Sequence, residues 1–124
     1  MPVPLYQAKA EFFRTLGHPA RIRILELLQD GPRPVRGLLS EMDIEPSNLS
    51  QQLAVLRRTG LLTSTREGNT VVYELSTPDV VDLLRAARRI LTEMITDQGT
   101  LLAELRAGGR LPAPEDHPAA ATVR

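Results

Sequence analysis

Through the first half of the chain apolar residues recur at spacings of three and four, the mark of helices that each bury one face. Leu5, Ala8, Phe12, Phe13 and Leu16 predict a helix over 4–16, interrupted by Gly17 and His18. Pro19 suits the first position of a second helix, where its missing N–H costs nothing. Ile22, Ile24, Leu25, Leu27 and Leu28 form the buried face of that helix, and Gly31-Pro32 ends it. A short third helix follows over about 35–42 with Val35, Leu38, Leu39 and Met42 inward, and then a tight turn at 43–46. Ser47 reads as the N-cap of a fourth helix that Gly60 terminates. At ~100° per residue, Leu49, Leu53 and Leu56 fall within about 60° of one another, while Ser47, Gln51, Ala54 and Arg58 point nearly opposite. Asn48 and Val55 flank this outer face on one side, Ser50 and Arg57 on the other.

After Leu61 the period becomes alternating: LLTSTR and TVVYELS, rich in Thr, Val and Tyr, predict a hairpin around Glu67-Gly68-Asn69 with Arg66 beside its tip. Thr77 then reads as a cap and Pro78 as the first position of a long last helix over about 78–106. Its apolar positions 80, 84, 87, 91 and 94 keep a four-three spacing that Gln98 breaks and 101 and 105 resume. One small domain needs less stripe than this, so the helix is expected to pair with a second subunit as well. Gly99 leaves its continuity open. From Gly108 the tail holds Pro112, Pro114 and Pro118 among alanines and is expected to be disordered. Residues 1–107 are thus expected to form one domain ahead of a Pro/Ala-rich tail, 108–124. The expected fold is mainly α (α+β): a winged helix-turn-helix of four helices, a β-hairpin wing and a long C-terminal dimerisation helix.

Composition narrows the chemistry. A length of 124 residues suits one domain, and an aromatic content of 3% makes the core aliphatic. With no cysteine there is no disulfide framework, thiolate metal site or catalytic thiol. His18, before a proline at a helix start, reads as a boundary residue, and His117 lies in the tail. No nucleophile-and-base motif, metal cluster or phosphate-cradling glycine loop is present, so neither an enzyme nor a bound cofactor is expected. The start MPVPLYQAKAEFF lacks a basic segment followed by an apolar one, and no run approaches the ~18 apolar residues of a membrane span. A cytoplasmic protein with no membrane partner is expected.

The formal net charge is zero, yet it divides unevenly: residues 1–66 balance to +3 and residues 67–124 to −3. The basic half holds the short-helix, turn and capped-helix pattern of a helix-turn-helix, whose second helix enters the major groove with its N-terminal residues toward base edges. There Ser47, Asn48, Ser50, Gln51 and Gln52 offer neutral donor and acceptor groups, and residues 46–56 carry no charge at all. An ordinary solvated helix face carries charged i,i+4 pairs. Arg36 and Arg57 are candidate phosphate contacts, and Arg66 with Asn69 make the hairpin a candidate wing; Arg66 pairing with Glu67 or Glu74 is the plainer alternative. Leu5, Phe12, Val80, Leu84, Ala87, Leu91 and Met94 are the candidate dimer contacts. The two readings left are a DNA-binding regulator and a winged-helix protein-protein interaction module. The neutral polar face favours the first, because a protein-binding face gains large apolar or aromatic anchors.

LGHPARIRILELL (16–28), SNLSQQLAVLRRTGLL (47–62) and REGNTVVYEL (66–75) together resemble the ArsR/SmtB family of bacterial winged-helix repressors over about residues 5–95. The resemblance implies a homodimer joined through the first and last helices, which represses by occupying a double-stranded operator, with Ser47, Asn48, Ser50, Gln51 and Gln52 on the DNA-reading helix. It also implies an effector, which the sequence does not identify. Metal-sensing members often carry a Cys-x-Cys motif at the start of the third helix, where this chain reads VRGLLSEM. Others carry Asp-x-His-x10-His-x2-Glu on the last helix, and the matching positions here are Thr77, Asp79, Ile90 and Glu93. Ile90 cannot ligate a metal, so neither usual metal site is expected.

Overall fold

The computed structural model describes residues 2–108, and the proposed tail lies outside them apart from Gly108. Two compact units divide the chain, Met1–Asp82 and Leu83–Arg124. The first contains four helices, α1 (Leu5–Leu16), α2 (Pro19–Leu27), α3 (Val35–Glu41) and α4 (Pro46–Arg58), and three strands, β1 (Arg33–Pro34), β2 (Leu62–Glu67) and β3 (Thr70–Leu75). The last helix, α5, runs over Asp79–Gly108, so only its first turn belongs to this unit.

The core of the first unit is aliphatic, as the composition requires. Ile24, Leu25 and Leu28 from α2, Leu38 from α3, Leu49, Leu53 and Leu56 from α4, Leu62 from β2 and Val80 from α5 are all buried. Val80 therefore packs inside its own protomer and is not available to a second subunit, contrary to the sequence expectation. Helix α1 departs the other way. Leu5, Tyr6 and Phe13 stay exposed, and only Leu16 of its apolar positions is buried.

Three local devices set the chain's course. His18 is the N-cap of α2, where its Nδ1 accepts a hydrogen bond from the Ala20 amide at 3.2 Å and so satisfies one of the helix's orphan donors. At the end of α4 the Gly60 amide donates to the Arg57 carbonyl and the Leu61 amide to the Leu56 carbonyl, both at 3.0 Å. This is a Schellman closure, in which buried Leu61 meets the last core turn and Gly60 holds φ +84. At the wing tip Gly68 has φ +64 while Asn69 does not, the pattern of a type II′ turn between β2 and β3.

The sheet is antiparallel in the order β1-β3-β2. Strand β1, two residues that pair with Tyr73 and Val72, has no periodic signal of its own because it is too short to alternate. Helix α4 starts two positions earlier than expected, with its N-cap at Glu45 and not at Ser47. Pro46 occupies its first position and Glu45 its N-cap, because proline fixes φ and pushes the residue before it into the extended region, where Glu45 sits at φ −68, ψ 140. Thr77 Oγ1 does accept from the Asp79 amide at the start of α5.

Helix α5 is continuous through Gly99, where an added Cβ meets nothing within 4 Å. Its large apolar residues that are exposed, among the described positions, are Ile90, Leu91, Ile95, Leu101 and Leu102. The two glycines predict opposite effects. Gly99→Ala should stabilise the protein by up to about 1 kcal/mol, because glycine inside a helix costs that much in backbone entropy. Gly60→Ala should destabilise it by about 1–2 kcal/mol, the penalty of a side chain in the left-handed region. Thermal unfolding of the two variants beside the parent checks both signs.

Candidate nucleic-acid interface

Helices α3 and α4, separated by residues 42–45, form the helix-turn-helix, and three fully buried leucines fix how α4 is rotated. Leu49, Leu53 and Leu56 are all within 1% of complete burial, so the opposite face has no choice but to meet solvent. On it Ser47, Asn48, Ser50 and Gln51 are exposed. Because the helix starts at Pro46, Ser47 is not spent on capping and its hydroxyl makes no hydrogen bond among the described residues.

Gln52 lies elsewhere. It is 8% exposed and tied on both sides: its Oε1 accepts from Arg21 Nε at 2.8 Å, and its Nε2 donates to Asn48 Oδ1 at 2.9 Å. Arg21 in turn donates from Nη1 to the Thr15 carbonyl in the last turn of α1, at 3.0 Å. The expectation that Gln52 shares the outer face is corrected: it is a support beneath it. The signal was present, since position 52 lies only about 40° from Leu56 on a helix wheel. Arg21 had no such signal, because its partner is 31 positions away.

The three candidate cations are all exposed. Arg36 is exposed on α3, and Arg57, exposed at the end of α4, donates to Ser64 Oγ on β2 at 3.3 Å, a link between the helix and the wing. Arg66 and Asn69 are exposed beside and at the wing tip. The ion pairs among the described residues join Arg14 to Glu11 and Arg23 to Glu26, so Arg66 is paired with neither Glu67 nor Glu74.

The candidate dimer residues fall into three groups. Leu5, Ala87 and Leu91 are exposed, while Phe12, Leu84 and Met94 are half-buried. Val80 is buried. Phe12 meets Phe13 edge to face with centroids 5.5 Å apart. Among the described residues no three His, Cys, Asp or Glu side chains gather as a metal site would need, and no helix is long and apolar enough to cross a membrane.

The model of the bacterial regulatory protein arsR family matches residues 18–64, the span from the α2 cap into β2. The HTH-type transcriptional regulator Rv0081 of Mycobacterium tuberculosis is 53% identical over 107 residues, which is 86% of this chain and 94% of that protein. The chain belongs to the ArsR family. It is thus a DNA-binding transcription regulator of the winged helix-turn-helix kind. The crystal structure of Rv0081 superposes with a TM-score of 0.72 at 52% identity, covering 78% of this chain and 98% of that one. A biofilm growth-associated repressor of Agrobacterium fabrum is 33% identical across 69% of this chain and 77% of its own length. The solution structure of Mb0332 from Mycobacterium bovis, described as a homodimeric winged helix-turn-helix DNA-binding domain, matches with a TM-score of 0.66 at 26% identity, over 73% of this chain and 84% of that one.

The neighbouring glutamines of this ArsR-family helix should separate cleanly. Gln52→Ala, which removes a buried carboxamide and leaves the half-buried Arg21 Nε without its acceptor, should cost about 1–3 kcal/mol, whereas Gln51→Ala should stay within about 0.5 kcal/mol of the parent. Urea denaturation of the two variants measures the difference.

Proposed function

We propose that the protein is a cytoplasmic homodimeric repressor that occupies an inverted-repeat operator, with α4 in the major groove and the β2–β3 wing on the flanking DNA. The observation that carries this reading is the outer face of α4, where Ser47, Asn48, Ser50 and Gln51 present neutral hydrogen-bonding groups over a buried leucine stripe. Such a face suits base edges, and exposed Arg36, Arg57 and Arg66 suit the phosphates on either side. A groove-facing helix needs its side chains unspent, and Ser47 and Gln51 are so among the described residues.

Dimerisation is supported separately by each of two helices. Leu5, Tyr6 and Phe13 on α1 and Ile90, Leu91 and Ile95 on α5 are large apolar side chains left in solvent, and residues of this kind mark association surfaces. Mb0332 offers a homodimeric precedent, and the Agrobacterium relative a repressor. Two recognition helices related by a two-fold axis would read half-sites one DNA turn apart, about 34–36 Å. Neither a cysteine nor a histidine metal sensor forms part of this proposal.

Titration of the purified protein onto a duplex from upstream of its own gene, against a scrambled duplex at two salt concentrations, tests it. Tight binding to the first duplex, weakened about tenfold or more by Gln51→Ala, together with a reporter silenced by the protein, is the expected result. Equal, salt-labile binding to both duplexes would favour an interaction module, and a stimulated reporter would replace the repressor by an activator. In light scattering the parent should have the mass of a dimer at micromolar concentration, and Leu91→Glu should shift it toward the monomer.

A further inference from the structure

The hydrogen-bonding polarity of the reading face is imposed from beneath it. An arginine side chain has only donors, so whatever faces Arg21 Nε must accept. Gln52 therefore turns its Oε1 to Arg21, at 2.8 Å, which leaves its Nε2 toward α4's first turn. That amide nitrogen can only donate, so Asn48 must meet it with Oδ1, at 2.9 Å. The Asn48 amide is thereby fixed with its Nδ2 as the group left for a ligand. The Thr15 carbonyl, which takes Arg21 Nη1 at 3.0 Å, holds the guanidinium in place and makes the direction of the chain unambiguous: charge on α2, carboxamide in the core of α4, carboxamide on its surface. Gln52 is buried, so no water competes to reverse it.

We propose that Arg21 and Gln52 are positioning residues that hold the Asn48 amide with Nδ2 as its unengaged end, so that Asn48 favours an acceptor edge in the major groove such as N7 or O6 of guanine. This rests on the reading of α4 as the recognition helix. A free asparagine pairs with adenine through both amide ends, donating to N7 and accepting from N6. Here one of the two lone pairs of Asn48 Oδ1 is taken by Gln52 and that end is held toward its partner, so the bidentate role suits Gln51 better, which is exposed and makes no hydrogen bond among the described residues. Asn48 and Gln51, alike in chemistry, thus read different edges.

Gln52→Glu reverses the polarity. The carboxylate still accepts from Arg21 but has no proton for Asn48, whose amide turns over to donate inward and present Oδ1 outward. The parent and variant are each used to enrich duplexes from a random-sequence library, and Asn48→Ala locates the base pair that position 48 reads. The expected result is a parent preference for an acceptor edge at that pair, changed by Gln52→Glu to a donor edge, cytosine N4 or adenine N6, by about tenfold in relative affinity. In an Asn48→Ala background Gln52→Glu should change nothing at that pair. Arg21→Met, at a half-buried side chain and without added charge, should broaden the preference there to both edges while circular dichroism reports an intact fold. A uniform loss of affinity with the base preference unchanged in both Gln52→Glu and Arg21→Met overturns the proposal and leaves α4 as the reading helix. A parent that enriches no sequence removes that reading, and this proposal with it.

Discussion

Helix α4 has one rotational setting, because Leu49, Leu53 and Leu56 must all be out of water and no other angle about its axis achieves this. Each buried leucine contributes roughly 1.5–3 kcal/mol relative to exposure, so exposing all three would forfeit about 4.5–9 kcal/mol, a large part of the roughly 5–15 kcal/mol by which a domain is typically stable. Every property of the opposite face follows from that setting. Ser47, Asn48, Ser50 and Gln51 are in solvent because the leucines are not, and Gln52, at the edge of the stripe, is drawn into the core and must find partners there.

The same constraint reaches outward along the backbone. Gly60 reverses the chain directly after the last core turn, and Leu61 and Leu62, both buried, carry it into β2 without a flexible connection. Ser76 at the far end of the hairpin returns to this junction, its amide donating to the Leu61 carbonyl at 3.0 Å and its hydroxyl to the Gly60 carbonyl. The base of the β2–β3 hairpin is therefore tied to the end of α4 at two backbone carbonyls. Arg57 adds a side-chain tie to Ser64. A helix whose rotation is fixed thus also fixes where its wing departs.

Much of this was legible in the sequence because it rests on local periodicity and on residues with few conformational options. The order of elements, the His18 boundary, the glycine that closes α4 and the hairpin around Gly68 all follow from patterns a few residues wide. What escaped depends on distance along the chain. The two-residue β1 exists only because β3 offers it an edge, and Arg21 meets Gln52 only because α2 crosses α4. The exposed face of α1 shows the converse limit: Leu5, Ala8, Phe12 and Phe13 announce a helix, but periodicity does not say whether its own protomer covers it. Val80 shows this too, since one apolar stripe on α5 begins in the core of the first unit and continues through exposed Leu91.

The short strand β1 bears on how the sheet avoids pairing with other chains. The segment Thr70–Leu75, with Val71, Val72 and Tyr73 in succession and Glu74 as its one charge, is the kind of β-rich window of low charge that seeds aggregates when an edge is bare. It is the central strand, flanked on one side by β2 and shielded over Val72 and Tyr73 on the other by Arg33 and Pro34, the second of which has no amide to extend the ladder. The outer strand β2 presents Thr, Ser, Arg and Glu instead. Two residues that contribute little to the fold's bulk therefore act as a gatekeeper against edge-to-edge growth of the sheet.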